Sequence, residues 1–235
     1  MKPRLALFDL DHTLLEGDSD VLWCAYLMDQ GVLDRASFEP RNAAMERDYR
    51  AGTVSVQDFN AFYVSTLAGR TPAQWEATRQ AFLKDVVAPR RSAAARALVK
   101  QQISEGATVV LTTATNRFIT ELTAVELGIA HLIATDCEVA ADGPLAGRFT
   151  GKPQGVLNMR EGKVTRLHAW LAQRGQQLED FDSWAWSDSM NDLPLLQAVD
   201  HPVATHPDLR LAALAAERGW PVLHLHGPMA GRAAP

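Results

Sequence analysis

Cysteine is almost missing: the 235 residues contain only Cys24 and Cys137. Two are too few for a disulfide framework, and these lie too far apart for the paired ligand spacing of a zinc site. Reduced thiols in a cytoplasmic protein are expected. Long apolar runs are also missing. The longest, residues 21–28, is far short of the ~20 residues of a membrane span, and the amino-terminal stretch meets Asp9 before the apolar core of an export signal could form. No membrane partner is expected. Nor is there a basic excess, because 23 Lys+Arg against 28 Asp+Glu leave a net charge of −5. Binding to a phosphate backbone needs the opposite balance, so nucleic acid is excluded as an expected partner. No internal repeat is visible. What is present is 47% hydrophobic and 22% charged residues, enough to bury a core and too apolar for general disorder. The length suits one large domain, or a core with a smaller appendage.

Residues 4–8 are short, apolar and bounded by charge, as a strand covered on both faces should be. Further strands are expected at 108–112, 131–135, 184–187 and 202–205, with a sixth candidate at 221–224. Helical patterns separate them at 92–105, 116–127, 163–173, 192–198 and 207–218. Alternating strands and helices predict an α/β fold, a doubly wound parallel sheet. Residues 18–85 break the rhythm with helix-period runs at 21–30, 38–50, 56–67 and 73–86 and no strand, which predicts an inserted all-helical subdomain. A second interruption, 137–162, carries glycines at 143, 147, 151, 155 and 162, suiting a small hairpin or flap. The expected division is an α/β core of residues 1–16 and 89–225, a helical insert of 17–88, and a frayed tail of 226–235.

The chemistry concentrates where strands end. Asp9 and Asp11 follow the first strand, and ligands of open α/β sheets collect beyond the carboxyl ends of strands. Residues two apart in extended chain point the same way, so both acids can address one ligand. Their mutual repulsion is relieved by a hard cation such as Mg²⁺. An isolated Asp-x-Asp is more often a solvated turn. Here, however, Asp188 ends a second apolar strand and can complete a metal site with Asp9. Between the two acidic sites, residues 109–116 end a strand in hydroxyls and open a helix, whose free N–H groups and dipole favour a phosphate; capping of that helix is the plainer use of those threonines. Lys163 sits at a helix start, where a cation opposes the dipole. Pairing with phosphate oxygens would explain it, and so would ordinary solvation.

Asp9-x-Asp11-x-Thr13, Thr113, Lys163 and Asp188-x-x-Asn191-Asp192, in that order, resemble the four motifs of the haloacid dehalogenase superfamily of phosphatases. The helical insert resembles the type 1 cap of the phosphoserine phosphatase-like branch. Phe8 to Leu15 with Asp18-Ser19-Asp20, together with Ser187-Asp188-Ser189 and Asn191 to Leu196, are similar to bacterial histidinol-phosphatase-like members. The resemblance implies a Rossmann-like core and an aspartyl-phosphate mechanism. Asp9 would attack phosphorus, and Asp11 would protonate the leaving alcohol and then activate water. Mg²⁺ would be held by Asp9, Asp188 and the main-chain carbonyl of Asp11. Thr113 and Lys163 would bind the phosphoryl oxygens, with Asp192 orienting Lys163, Asn191 shaping the metal loop and the small Ala114 following the motif threonine. Thr112 competes with Thr113 for that role. Thr13 reads as a loop-fixing hydroxyl.

The expected partner is a small phosphorylated metabolite; monomer and homodimer are both open. In phosphoserine phosphatases an acid near Asp18 receives the substrate ammonium, and an arginine, where this chain has Tyr63, receives its carboxylate. That departure favours an amine without a carboxylate, such as histidinol phosphate, over phosphoserine or another small-metabolite ester, unless Arg47, Arg50 or Arg70 replaces the missing cation. Asp18 could equally cap a helix. The aromatic residues Trp23, Tyr26, Phe59, Phe62 and Tyr63 could line a pocket or pack the cap. A receiver module that phosphorylates an aspartate without turnover is the alternative of another class, and the second acid and the cap argue against it.

Overall fold

The computed structural model describes residues 2–226. Strand β1 (Arg4–Phe8) has Leu5, Ala6, Leu7 and Phe8 all fully buried. Ala6 and Phe8 enter one core cluster and Leu5 and Leu7 the other, as alternating side chains of a strand covered on both faces must. The chain then runs through four helices, α1 (Ser19–Asp29), α2 (Arg35–Ala51), α3 (Val56–Ser65) and α4 (Pro72–Phe82). The last continues as a wide π-turn over Leu83–Val87. Next come α5 (Ala93–Ser104), β2 (Thr108–Asn116), α6 (Arg117–Glu126), β3 (His131–Val139) and β4 (Phe149–Gln154). The chain closes with α7 (Glu161–Ala172), β5 (Asp182–Ser187), α8 (Leu193–Ala198), β6 (His201–Thr205), α9 (Leu209–Arg218) and β7 (Val222–Leu223).

The seven strands form one sheet in the order β4-β3-β2-β1-β5-β6-β7. Every pairing is parallel except β3 with β4, which is antiparallel. This is the doubly wound α/β fold with an inserted helical cap. β1 lies between β2 and β5, so three strand ends that carry chemistry sit side by side. Phe8 faces Trp186 across the β1–β5 register, and their rings stack at 4.4 Å. No helix among the described residues is long and apolar enough to cross a membrane.

One expectation is corrected. The strand expected at 108–112 runs on to Asn116, because residues 113–116 stay buried and extended. Its pairing with β3 shifts register between Thr113 and Asn116, the kind of irregularity that re-aims side chains beside active sites. Within the glycine-rich interruption, β4 pairs antiparallel with the end of β3 as an edge strand, the hairpin expected there. Of the tail expected at 226–235, residues 227–235 lie outside the described residues, while His226 is placed: its Nε2 donates to the Thr13 carbonyl at 3.2 Å.

The cap aromatics pack. Trp23 is fully buried against Trp75 and Phe82, and Phe59 lies between Tyr49 and Tyr63. Glu16 N–H donates to the Arg90 carbonyl at 2.9 Å, tying together the two chain crossings between sheet and cap.

Candidate active site

A carboxylate removed from water must be paired or change its pKa. Asp9 leaves β1 buried, its N–H bonded to the Trp186 carbonyl at 3.0 Å. Lys163 Nζ donates to its Oδ1 at 2.7 Å and to Asp192 Oδ2 at 2.7 Å. Lys163 occupies the first turn of α7 and is itself buried. The unfavourable helix-start position is thus explained by two carboxylates. Burial pushes the Asp9 carboxyl up to about 7 against the opposing pull of Lys163, with Asp192 and Asp11 adding to the rise. Burial alone would lower the Lys163 ammonium, but Asp192 and Asp9 together raise it above its ordinary value.

Thr13 stands between the first and last motifs. Its hydroxyl lies 3.2 Å from Asp9 Oδ2 and 3.4 Å from Asp188 Oδ1, and accepts from the Asp188 N–H at 3.0 Å. The reading of Thr13 as a loop-fixing hydroxyl fits this geometry. Burial first, and then the Asp9 and Asp192 charges, push Asp188 well above the usual carboxylate range. Asp192 also accepts from the Ser187 hydroxyl at 2.7 Å.

Asp11 points elsewhere. One oxygen accepts from the Ser19 N–H at 2.7 Å, and the other from the hydroxyls of Thr115 at 2.8 Å and Thr113 at 3.3 Å. Burial raises its carboxyl although each of these bonds lowers it. The Thr112 hydroxyl receives Asn158 Nδ2 at 3.1 Å, whereas the Thr113 hydroxyl donates to Asp11. Ala114 packs with Cys24, Tyr63 and Met159.

Asp18 caps α1, accepting from the Asp20 and Val21 N–H groups at 3.0 Å each. Burial followed by the Asp11 charge pushes it up to about 8. Tyr63 is buried near Asp18 and Asp20, whose charges add to the burial that raises its hydroxyl, and that hydroxyl has no hydrogen-bond partner among the described residues. Asn191 donates from Nδ2 to the Tyr49 carbonyl at 3.1 Å and accepts from Arg160 Nε at 3.2 Å, so it binds the cap.

Three contributors escaped the sequence reading. Thr115 could have been found from its two-residue spacing after Thr113, and Asp20 from its place two residues beyond Asp18. Tyr49 carries no such signal; burial, followed by the charges of Asp192, Asp9 and Asp188, holds its hydroxyl well above its ordinary value.

A ready-made cluster of three or more His, Cys, Asp or Glu ligands is absent among the described residues. What is assembled is a carboxylate pair, Asp9 and Asp188, meeting at one hydroxyl. With Asp192 and Asp11 also nearby and Lys163 the buried cation among them, the pocket holds more negative than positive charge. Mg²⁺ is commonly held by one or two carboxylates, with waters and substrate phosphate completing its shell. The donor set fits such an ion.

Residues 6–197 match the haloacid dehalogenase-like hydrolase family. The chain is 38% identical over 222 residues to a histidinol-phosphatase of Neisseria meningitidis, covering 94% of this chain and 98% of that one. A solved structure of a Bordetella pertussis protein of unknown function superposes with a TM-score of 0.89 at 40% identity, covering 96% of this chain and all (100%) of the other. A substrate-bound phosphoserine phosphatase shares the fold, with a TM-score of 0.67 at 17% identity over 95% of this chain and 93% of its own.

Proposed function

The chain belongs to the haloacid dehalogenase-like hydrolase family and is a phosphoric monoester hydrolase, and from that premise we propose that Asp9 is its nucleophile, Mg²⁺ its metal and histidinol phosphate its substrate. The observation that carries this reading is the buried Asp9 carboxylate, held at one oxygen by Lys163 and facing Asp188 across the Thr13 hydroxyl.

In the proposed reaction Asp9 attacks phosphorus and becomes an aspartyl-phosphate, while Asp11, fixed by Ser19, Thr113 and Thr115, gives its proton to the leaving alcohol. With the proton gone, Asp11 takes one from water, and the water opens the acyl phosphate. Lys163 and the Thr113 hydroxyl stabilise the charge spread over the phosphoryl oxygens. Asp192 keeps Lys163 in place, and Asn191 holds the loop that carries Asp188. Phosphatases of this family use a divalent metal; bound by Asp9, Asp188 and the Asp11 carbonyl, Mg²⁺ would offset phosphate charge beside the nucleophile. Residues 17–88 act as the cap that admits substrate and excludes water, hinged at 16–17 and 88–89.

Histidinol phosphate is favoured by what surrounds Asp18. The buried carboxylates of Asp18 and Asp20 suit an ammonium, and Tyr63 offers no cation for a carboxylate. The arginines that might replace it are engaged elsewhere: Arg47 with Asp48, Arg50 with Glu46 at 2.6 Å, and Arg70 over the Trp75 ring. The relative of known name points the same way. Phosphate release from histidinol phosphate, phosphoserine and several sugar phosphates, compared as kcat/KM, tests the assignment. Histidinol phosphate should lead; a higher value for phosphoserine would overturn the substrate.

A further inference from the structure

An amide carried into the interior must find acceptors for its two hydrogens and a donor for its oxygen. Asn158, in the loop between β4 and α7, is fully buried, and its partners lie on two strands. Its Nδ2 sits 2.9 Å from the Thr113 carbonyl and 3.1 Å from the Thr112 hydroxyl of β2, and 2.9 Å from the Ile133 carbonyl of β3. Its main-chain N–H donates to the Thr135 hydroxyl of β3 at 3.1 Å. These contacts fall beside the place where the pairing of β2 with β3 shifts register, so a side chain ties the strands together where the ladder loses its regular step. The Oδ1 of Asn158 has no partner among the described residues. Turning the amide over would set that oxygen against two carbonyls, so the strands dictate its orientation even though one buried acceptor stays unpaired.

Asn158 holds two things at once. On one side is Thr113, whose hydroxyl donates to Asp11 Oδ2 at 3.3 Å and accepts from the Thr115 N–H at 3.2 Å. A fixed Thr113 carbonyl fixes the direction from which that hydroxyl enters the site. On the other side is the turn that leads to Lys163. A Cβ at Gly162 would lie 1.9 Å from the Leu157 carbonyl oxygen, the Gly162 N–H donates to the Met159 carbonyl at 3.0 Å, and the Lys163 N–H donates to the Arg160 carbonyl at 3.1 Å. Arg160 holds φ 53°, a conformation uncommon for a residue with a side chain. A turn wound this tightly has no slack. Where Asn158 is pinned decides where α7 begins, and Lys163 reaches Asp9, at 2.7 Å, from the first turn of that helix.

We propose that Asn158 is a positioning residue for phosphoryl transfer: bonded to the Thr113 carbonyl on one side and one tight turn from Lys163 on the other, its amide sets both donors in register with Asp9. The proposal rests on the reading above that Thr113 and Lys163 bind the phosphoryl oxygens.

The test is Asn158→Ala in the full chain with Mg²⁺, assayed well below the variant's melting temperature on the panel substrate with the highest kcat/KM. Misplaced donors fail the transition state more than the ground state, so kcat should fall at least about tenfold. Two inhibitors separate this from a loss of stability. Orthovanadate takes the five-coordinate shape of the transferring phosphoryl group and should bind about tenfold more weakly, while inorganic phosphate loses less than about threefold. A residue that only holds the sheet together would lower the melting temperature and leave the folded enzyme's kcat and its preference for orthovanadate where they were. A kcat within about threefold of the parent, or equal losses for the two anions, would overturn the proposal. Should Asn158→Ala fail to fold, Asn158→Ser keeps one donor at the same place and is read against the same limits. Thr113→Val and Lys163→Met test the underlying reading separately: if both keep the parent's kcat and its affinity for orthovanadate, the phosphoryl-binding assignment falls, and the proposal with it.

Discussion

Lys163 Nζ lies 2.7 Å from the Oδ1 of Asp9, and both side chains are buried. Residues 154 positions apart thereby form the charged centre of the site. The ammonium holds one oxygen of Asp9, while the other faces Thr13 and Asp188.

Replacing Asp9, the proposed nucleophile, should remove chemistry and spare the fold. Asp9→Asn keeps the shape and leaves Lys163 its second partner, Asp192. Phosphate release should fall at least ~10³-fold, the scale expected when a nucleophile is lost, while the melting temperature moves only a few degrees. Hydrolysis above a tenth of the parent rate would strike Asp9 from its role.

Lys163→Met should cost stability along with activity. It leaves Asp9 and Asp192 buried without their cation, and breaking a buried pair typically costs about 3–5 kcal/mol. Urea unfolding of metal-free protein reads this directly. An unchanged midpoint would mean that water already compensates these carboxylates.

Metal removal supplies an independent check on Asp188. Chelation should stop turnover, and Mg²⁺ should both restore it and raise the melting temperature, since an ion that binds only the folded state stabilises it. Asp188→Asn should shift the Mg²⁺ concentration needed for that stabilisation upward about tenfold or more, in line with one lost charged ligand. A chelated sample that keeps its full rate would contradict the metal assignment.

Thr115→Val deletes the 2.8 Å bond to Asp11 without changing side-chain volume much. We expect kcat to drop roughly tenfold with KM nearly constant, because the lost interaction orients the proton donor rather than the substrate. A change confined to KM would place Thr115 in substrate binding.

Gly162→Ala is a steric test. A Cβ there would lie 1.9 Å from the Leu157 carbonyl oxygen, so the first turn of α7 must shift, taking Lys163 with it. Lower melting temperature and loss of turnover should appear together; a variant that behaves as the parent would show that this loop yields without moving the lysine.

Much of this architecture was legible because it depends on local periodicity. The continuous apolar run at residues 5–8 declared a doubly covered strand, and the acids at 9 and 188 had to lie at strand ends because the apolar runs stop just before them. The helical rhythm between residues 18 and 85 marked the cap. The hairpin at 137–162 was legible from its glycines, but not the bounds of β4, because Gly151 and Pro153 blur an edge strand whose pairing comes from β3.

The chain's own order of residues determined the sheet, the insertion and the strand ends that bear acids, since side-chain direction in a strand repeats every two residues and in a helix every 3.6. Only the packed structure decided that Thr115 serves Asp11, that Lys163 joins Asp9 to Asp192, and that Arg160 and Asn191 grip the end of α2. Such partners come from separate segments, and their meeting is set by how whole elements pack against one another, which no local spacing encodes.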